Sequence, residues 1–454
     1  MMRKRSAYAI VLSAALVFSA APARADGYLD LTLDRAVSIA LGKNREIIKA
    51  HDEVKRAGFR VTEAASAAYP QINGQWTMDR NLKPQVFVIQ FPDENGVMRK
   101  NRLKVGTDHM MNLGANLTQP IWIGGKVGAA LKAAKIYRNM SDETFKTVEQ
   151  NVVTGVMTAF NGILLAREMV DIRRESLDLA ELHLKNVQTL HEAGTATDYD
   201  LLRARVHVEN TRPDLIEAEN NVNIALLRLK DILGIEADTP LTVSGTLAEP
   251  DTTIFRLADS DTAFRNRPDF KAAKFNIDLQ DKAVRIAYGD FLPSITAGTT
   301  FAYMGNFDMF KYDAEDWNPY WMANVSLTFP IFSGFRNKAV YEQAKVDRRR
   351  AQTDFHKTRD TIVIEVEEGI MNLRKAVRQV ESRRMNVEEA RKAVDMAESL
   401  FRNGRATQLE VLDAQLALEV SKTTLANALY DGKTAEINLK KALGTLEFDR
   451  NGRE

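Results

Sequence analysis

The sequence predicts an α+β membrane protein built from two internal repeats, each joining a strand hairpin to a very long helical hairpin. Three observations lead there. First, the second half of the chain repeats the first. Ala50 and Pro70 align with Ala273 and Pro293 at one offset, and Leu117-Thr118-Gln119-Pro120-Ile121 aligns with Leu327-Thr328-Phe329-Pro330-Ile331 at another. The second register runs on through Ala134/Ala344, Gly194/Gly404, Thr197/Thr407, Ala204/Ala414 and Gly234/Gly444. A repeat of this length is a duplicated structural unit and not a short solenoid repeat. Second, stretches of period-two hydrophobicity alternate with long proline-free stretches of helical period. Third, no long uncharged apolar run follows residue 25. Transmembrane helices are thereby excluded, and closed strands remain the one route through a bilayer.

The chain opens with the pattern of a secretion signal over residues 1–25. Arg3, Lys4 and Arg5 precede an apolar run from Ala7 to Ala21, and Ala23-Arg24-Ala25 is a small-x-small cleavage site. No cysteine follows, so no lipoprotein attachment site is expected. The whole chain carries 62 basic and 61 acidic residues and no cysteine. Removal of the signal leaves a mature chain near neutrality, about −3, which is a poor match to nucleic acid held through phosphate contacts. Absence of cysteine excludes thiolate metal sites, catalytic thiols and disulfides.

Repeat 1 is expected over 26–246 and repeat 2 over 247–454. Asp34 is a candidate N-cap for a helix to about Ala68, and a counterpart runs from about Asp259 to Gly289. Both end at proline-marked strands. The first strand hairpin, 71–122, places Ile72, Gly74, Trp76 and Met78 on one face and Gln71, Asn73, Gln75 and Thr77 on the other. Its return strand alternates Met111, Leu113, Ala115 and Leu117 with Asn112, Gly114, Asn116 and Thr118. The second hairpin, 294–332, sets Ile295, Ala297, Phe301 and Tyr303, then Trp321, Ala323, Val325, Leu327 and Phe329, against small polar residues. An uncharged polar face suits a wet lumen, and the apolar face suits lipid. All four tryptophans, Trp76, Trp122, Trp317 and Trp321, fall in or beside these strands, as lipid-interface aromatics would. The plainer alternative is a soluble β-domain with an aromatic core, but four half-polar strands make a poor closed core. The hairpin tips, 92–108 and 305–318, read as polar loops.

The long helices follow each hairpin, over 126–192 and 337–402. Apolar residues recur three and four apart at Phe145, Val148, Val152, Val156, Phe160 and Ile163, and again at Ile362, Val366, Ile370, Leu373, Val377 and Val380. That spacing is coiled-coil packing, and the length gives rods of roughly 100 Å. Gly194 and Gly404 can end them in the left-handed conformation. Returning helices span 197–233 and 407–443, stopped by Gly234 and Gly444.

This layout resembles the TolC family of outer-membrane efflux and secretion channels, over essentially all of Leu31 to Leu446. The most specific elements are the turns Gln119-Pro120-Ile121-Trp122-Ile123-Gly124-Gly125-Lys126 and Phe329-Pro330-Ile331-Phe332-Ser333-Gly334-Phe335-Arg336. The hairpin tips come next, Ala193-Gly194-Thr195-Ala196-Thr197-Asp198-Tyr199-Asp200 and Asn403-Gly404-Arg405-Ala406-Thr407-Gln408-Leu409-Glu410. The resemblance implies a homotrimer in the outer membrane, with three sets of four strands closing a twelve-stranded β-barrel and the helices forming a coiled-coil tunnel across the periplasm. It implies the exit duct of a tripartite efflux or type I secretion system, fed by an inner-membrane pump through a periplasmic adaptor. The adaptor would meet the tips at Gly194, Thr197, Gly404 and Thr407. The periplasmic gate would be an acidic ring of Glu410 and Asp413, with Asp200 the first-repeat equivalent of Glu410. Arg203 stands at the repeat equivalent of Asp413, and Ala406 stands where the family often has a basic gate residue, so the gate's polar links differ. The expected cargo is small toxic molecules or, as a second choice, an unfolded secreted protein.

No catalytic or cofactor constellation emerges, and no enzyme is expected. Gly124-Gly125-Lys126 lacks the spacing of a phosphate loop, and Val127 follows the lysine. The six histidines have no metal-ligand spacing. A periplasmic adaptor also uses long helical hairpins, but one per chain, without aromatic strand pairs. A trimeric surface stalk would have the rods without a conduit.

Overall fold

The computed structural model describes residues 29–83, 85–92, 96–308, 315 and 317–446. The segment with the pattern of a secretion signal, residues 1–25, lies outside them. The chain enters through a short strand β1 (Leu29–Leu31), which pairs in parallel with β6 (Leu241–Val243). This pair, which no periodicity in the sequence signals, clips the start of the first half to the linker that follows it.

Two helices come next, α1 (Leu33–Lys43) and α2 (Arg45–Ser66). They correct the single helix expected from Asp34. Thr32 is the N-cap, its extended backbone letting the hydroxyl accept from the Arg35 N–H, and Asp34 sits in the first turn. The break falls at Asn44, whose side chain accepts from the N–H groups of Glu46 and Ile47 and donates to the Ile232 carbonyl at 2.7 Å. The counterpart in the second half is also two helices, α5 (Ser260–Asn266) and α6 (Pro268–Tyr288). Pro268 at the first helical position has no N–H to continue α5. At this break Arg267 donates to the Ala442 carbonyl, as Asn44 does to Ile232.

The four-stranded antiparallel sheet has the order β2 (Gln71–Arg80), β5 (His109–Ile123), β7 (Ser294–Phe307), β8 (Trp317–Thr328). Its register aligns the alternating faces across all four strands. Gly74, Ala115, Phe301 and Trp321 form one row; Ile72, Leu117, Thr299 and Ala323 form another. Asn73, Asn116 and Thr300 lie on the opposite face. The tip expected as a loop over 92–108 is a second antiparallel hairpin, β3 (Gln85–Pro92) with β4 (Met98–Val105). Phe87 and Phe91 belong to this hairpin and not to the four-stranded sheet. Residues 93–95 and 309–314, in the two tips, lie outside the described residues.

The rods are α3 (Lys126–Glu192) and α7 (Arg336–Arg402), with returning helices α4 (Asp198–Leu233) and α8 (Gln408–Leu443). No described helix is long and apolar enough to cross a membrane. The core is two clusters of one design. Val156, Ile163, Leu229 and Leu233 pack with α1 and β6 in the first. Val366, Leu373, Leu439 and Leu443, their repeat equivalents, pack with Ile254 and Ala263 in the second. Each cluster sits where a rod, a returning helix and a broken helix meet, so each half is locked at mid-length and its tip projects free of the core.

Candidate functional site

The two helical tips are built alike. Gly194 takes φ +74° and Gly404 φ +68°. That left-handed residue lets the N–H of Thr195 reach back to the Leu190 carbonyl, and that of Arg405 to the Leu400 carbonyl, both at 2.9 Å. Thr197 and Thr407 then start the returning helices with reciprocal caps. The Thr197 hydroxyl accepts from the Asp200 N–H, while Asp200 Oδ2 accepts from the Thr197 N–H at 3.0 Å and from its hydroxyl at 2.7 Å. Glu410 Oε2 accepts from the Thr407 N–H at 2.6 Å and hydroxyl at 3.0 Å.

Two of the three residues expected to form an acidic ring are thus the acceptors that hold the tips in shape. These bonds to Thr407 hold the Glu410 carboxyl below its ordinary value of 4.5, and those to Thr197 hold Asp200 below 3.8. A carboxyl so lowered contributes stability that is complete above its ordinary value and is lost as pH falls through the lowered one. Both caps are therefore complete at neutral pH and weaken as pH falls below the ordinary carboxylate range. Asp413, one turn on from Glu410, is exposed. Replacing Thr407 with alanine removes the cap, with an expected cost of about 1 kcal/mol. Hydrogen exchange over 405–412 should speed up about fivefold, while exchange in the Leu373–Leu439 core stays unchanged.

The tips are also tied to each other. Gln408, almost fully buried, donates to the backbone carbonyl of Asp200 at 3.2 Å. Further up, α3 meets α8 and α7 through a seam of polar pairs. Asn186 donates to Glu398, which also accepts from Gln415 at 3.1 Å. Arg173 and Ser176 converge on Glu419, and Lys422 and Arg391 on Glu175. His183 is completely buried in this seam, its Nδ1 3.5 Å from Glu398 Oε1 and its ring 5.1 Å from that of Phe401. Burial first, then the nearby His183 and Arg203, push the neighbouring His207 imidazole below its ordinary value. None of these seam residues emerges from the sequence, because the partners on different hairpins stand more than two hundred positions apart. Inside the first hairpin, Leu177 and Ala180 meet Val208 in an apolar contact, flanked by the ion pairs Arg212–Glu181 and Arg174–Glu219.

At the other end of the molecule, Trp76 and Trp321 point from the apolar face into open space, 62% and 79% exposed, and Trp122 is also exposed. A register shift between Pro120 and Trp122 sets Trp122 beside Ile295 and Leu327 on the apolar face, where simple alternation would have put it on the polar one. Trp317 packs edge-on against Phe307 and is half-buried. Measured along β7, Trp122 lies at the helix end, and the other three fall opposite residues 301–305 toward the far end.

Comparison with known proteins gives a consistent answer. The family model described as outer membrane efflux protein matches residues 36–235 and 260–445, most of the chain. The pyoverdine export outer membrane protein OpmQ of Pseudomonas aeruginosa is 26% identical over 427 residues, covering 92% of this chain and 86% of the relative. The probable outer membrane lipoprotein SilC of Salmonella typhimurium is 24% identical over 425 residues, with the same two coverages. Among solved structures, the Campylobacter jejuni CmeC outer membrane channel superposes with a TM-score of 0.76 at 17% identity, covering 91% of this chain and 85% of that one.

Proposed function

We propose, since this chain belongs to the outer membrane efflux protein family, that three copies of it close a single passive exit duct. The protein is an outer membrane efflux channel, and its conduit would belong to no one copy. The observation that carries the reading is the pair of open edges on a duplicated protomer. In the sheet, β2 and β8 each have one neighbour, and β8 is exposed along nearly its whole length. Four strands cannot close on themselves, and a bilayer does not tolerate an open edge. Pairing β8 of one copy with β2 of the next removes every edge in a barrel of twelve strands.

The helical layer has matching edges. Leu202, Ile216 and Leu227 on α4 and Ile364, Met371 and Met385 on α7 are exposed in the protomer. An α4-to-α7 contact between copies covers both rows. The polar face of the sheet then lines a wet lumen, and the apolar face meets lipid. Six to ten residues separate the Trp122 row from the other tryptophans along β7. At about 3.3 Å per residue and a tilt near 40°, the band between them is roughly 15–25 Å tall, close to the apolar belt of outer-membrane barrels.

The tips form the periplasmic entrance, where Gly194, Thr197, Gly404 and Thr407 present the surface for an adaptor protein that joins the duct to an inner-membrane pump. Three-fold symmetry gathers the carboxylates of Asp200, Glu410 and Asp413 around the axis, which favours cations. A seam of polar pairs between the two hairpins favours opening by one hairpin sliding past the other. Planar-bilayer recording tests this reading. The wild-type trimer should conduct with cation preference, and a Glu410→Gln, Asp413→Asn double variant should lose most of that preference. A trimer that inserts but never conducts, with or without these carboxylates, would overturn it.

A further inference from the structure

Below the sheet, where the rods begin, a cavity of about 790 Å³ opens between the start of α3, the end of α6 and the first turns of α7. Its floor is small: Gly124, Gly125, Gly128 and Ala129. A Cβ added at Gly125 or Gly128 would meet no atom within 4 Å. Its walls carry three cations, Lys132 from α3 and Lys282 and Arg285 from α6, and no carboxylate lines it. Two neighbouring acids are engaged elsewhere, Asp290 with Lys126 and Asp281 with Arg348, and Asp278, one turn before Lys282, does not line the cavity. The rim is aromatic. Trp122 stands at one side and Tyr288 and the half-buried Tyr341 at the other, where the exposed Phe291 packs on both, with ring centres 6.0–6.2 Å apart.

We propose that this cavity is a binding site for the phosphate of an anionic lipid headgroup in the inner leaflet of the outer membrane. Like charges gathered without counter-ions repel each other, and an anion relieves that repulsion. Phosphate suits three convergent lysine and arginine donors. The lipid origin follows from Trp122, which the register places on the apolar face beside Ile295 and Leu327. A cavity that Trp122 lines opens on the lipid side, at the depth where aromatic and basic residues meet headgroups. The exposed rings of Tyr288 and Phe291 then cover the glycerol and first acyl carbons. The inference rests on the reading of the sheet as membrane-embedded.

The test uses the full-length trimer in detergent, with phosphatidylglycerol, phosphatidylcholine and inorganic phosphate as separate probes and native mass spectrometry as the readout. Phosphatidylglycerol should be retained at least about tenfold better than phosphatidylcholine. A Lys282→Glu, Arg285→Glu variant should lose that preference. So should Gly128→Leu, which fills the floor without changing charge. Retention of inorganic phosphate at millimolar concentration, abolished by the same variants, would support the anion site and assign its occupant to solution. Equal retention of the two lipids, or a charge-reversed variant that behaves as wild type, would overturn the site. Conductance of the same wild-type preparation separates the two readings. A conducting trimer with no lipid preference refutes the site alone, and a protein that never inserts refutes the channel.

Discussion

Arginine at Ala323 should nearly abolish assembly into membranes, and arginine at Asn324, the next residue, should leave assembly intact. Ala323 shares a row with Ile72, Leu117 and Thr299 on the apolar face, between the Trp122 row and the Trp76 row. That position is close to the middle of the bilayer in the proposed barrel. A charged side chain there costs about 2–4 kcal/mol per copy, and a closed trimer carries the cost three times. Asn324 opposes Gly298 on the polar face and points into the lumen, where the same guanidinium stays hydrated. Its expected effect is on conduction alone, as lower single-channel conductance and weaker cation preference. Refolding both variants into lipid vesicles and reading the fraction of heat-modifiable trimer on gels tests the contrast. Equal yields from Ala323→Arg and Asn324→Arg would mean the two faces do not see different solvents.

The contrast was legible in the sequence because a strand states its faces locally: each residue's side follows from its neighbours two positions away. The exceptions are set by distant partners. Alternation alone puts Trp122 on the wrong face, since the register shift that turns it outward is defined by pairing with β7, well over a hundred residues on. The break at Asn44 is similarly hidden, because what stabilises it is the carbonyl of Ile232. The break at Arg267 had a local sign in Pro268.

The tips divide along the same line. Thr-x-x-Asp and Thr-x-x-Glu spell a capping box, and the structure forms both boxes. The carboxylates read as a pore-facing ring therefore have a first duty to the helix start, which ties any gate chemistry of Asp200 and Glu410 to the shape of the tip. The seam through Glu175, Glu398 and Glu419 was invisible, because solvated faces and inter-helix pairs have the same composition until the helices are placed side by side.

Replacing Gly234 with alanine should cost more than replacing Gly194, although both glycines end helices with nearly the same backbone, φ +70° and φ +74°. Alanine at Gly194 pays only for the left-handed conformation, about 1–2 kcal/mol, because an added Cβ there meets nothing within 4 Å. At Gly234 the added Cβ would overlap the carbonyl of Lys43, the last residue of α1. That oxygen is backbone at the Asn44 break and cannot rotate away. Overpacking against it adds about 1–3 kcal/mol to the same conformational cost, and relief requires parting α4 from the α1–α2 junction that the Asn44 side chain ties to Ile232. Gly444 stands in the equivalent place, where a Cβ would sit 3.0 Å from Arg267 N and Asn266 C. Gly234→Ala should therefore lower the thermal midpoint of the detergent-solubilised protein by about two to three times the shift of Gly194→Ala, with Gly444→Ala between them. Equal shifts for Gly194→Ala and Gly234→Ala would show that the broken helix does not bear on the end of the returning one, and that the two core clusters are held by apolar burial alone.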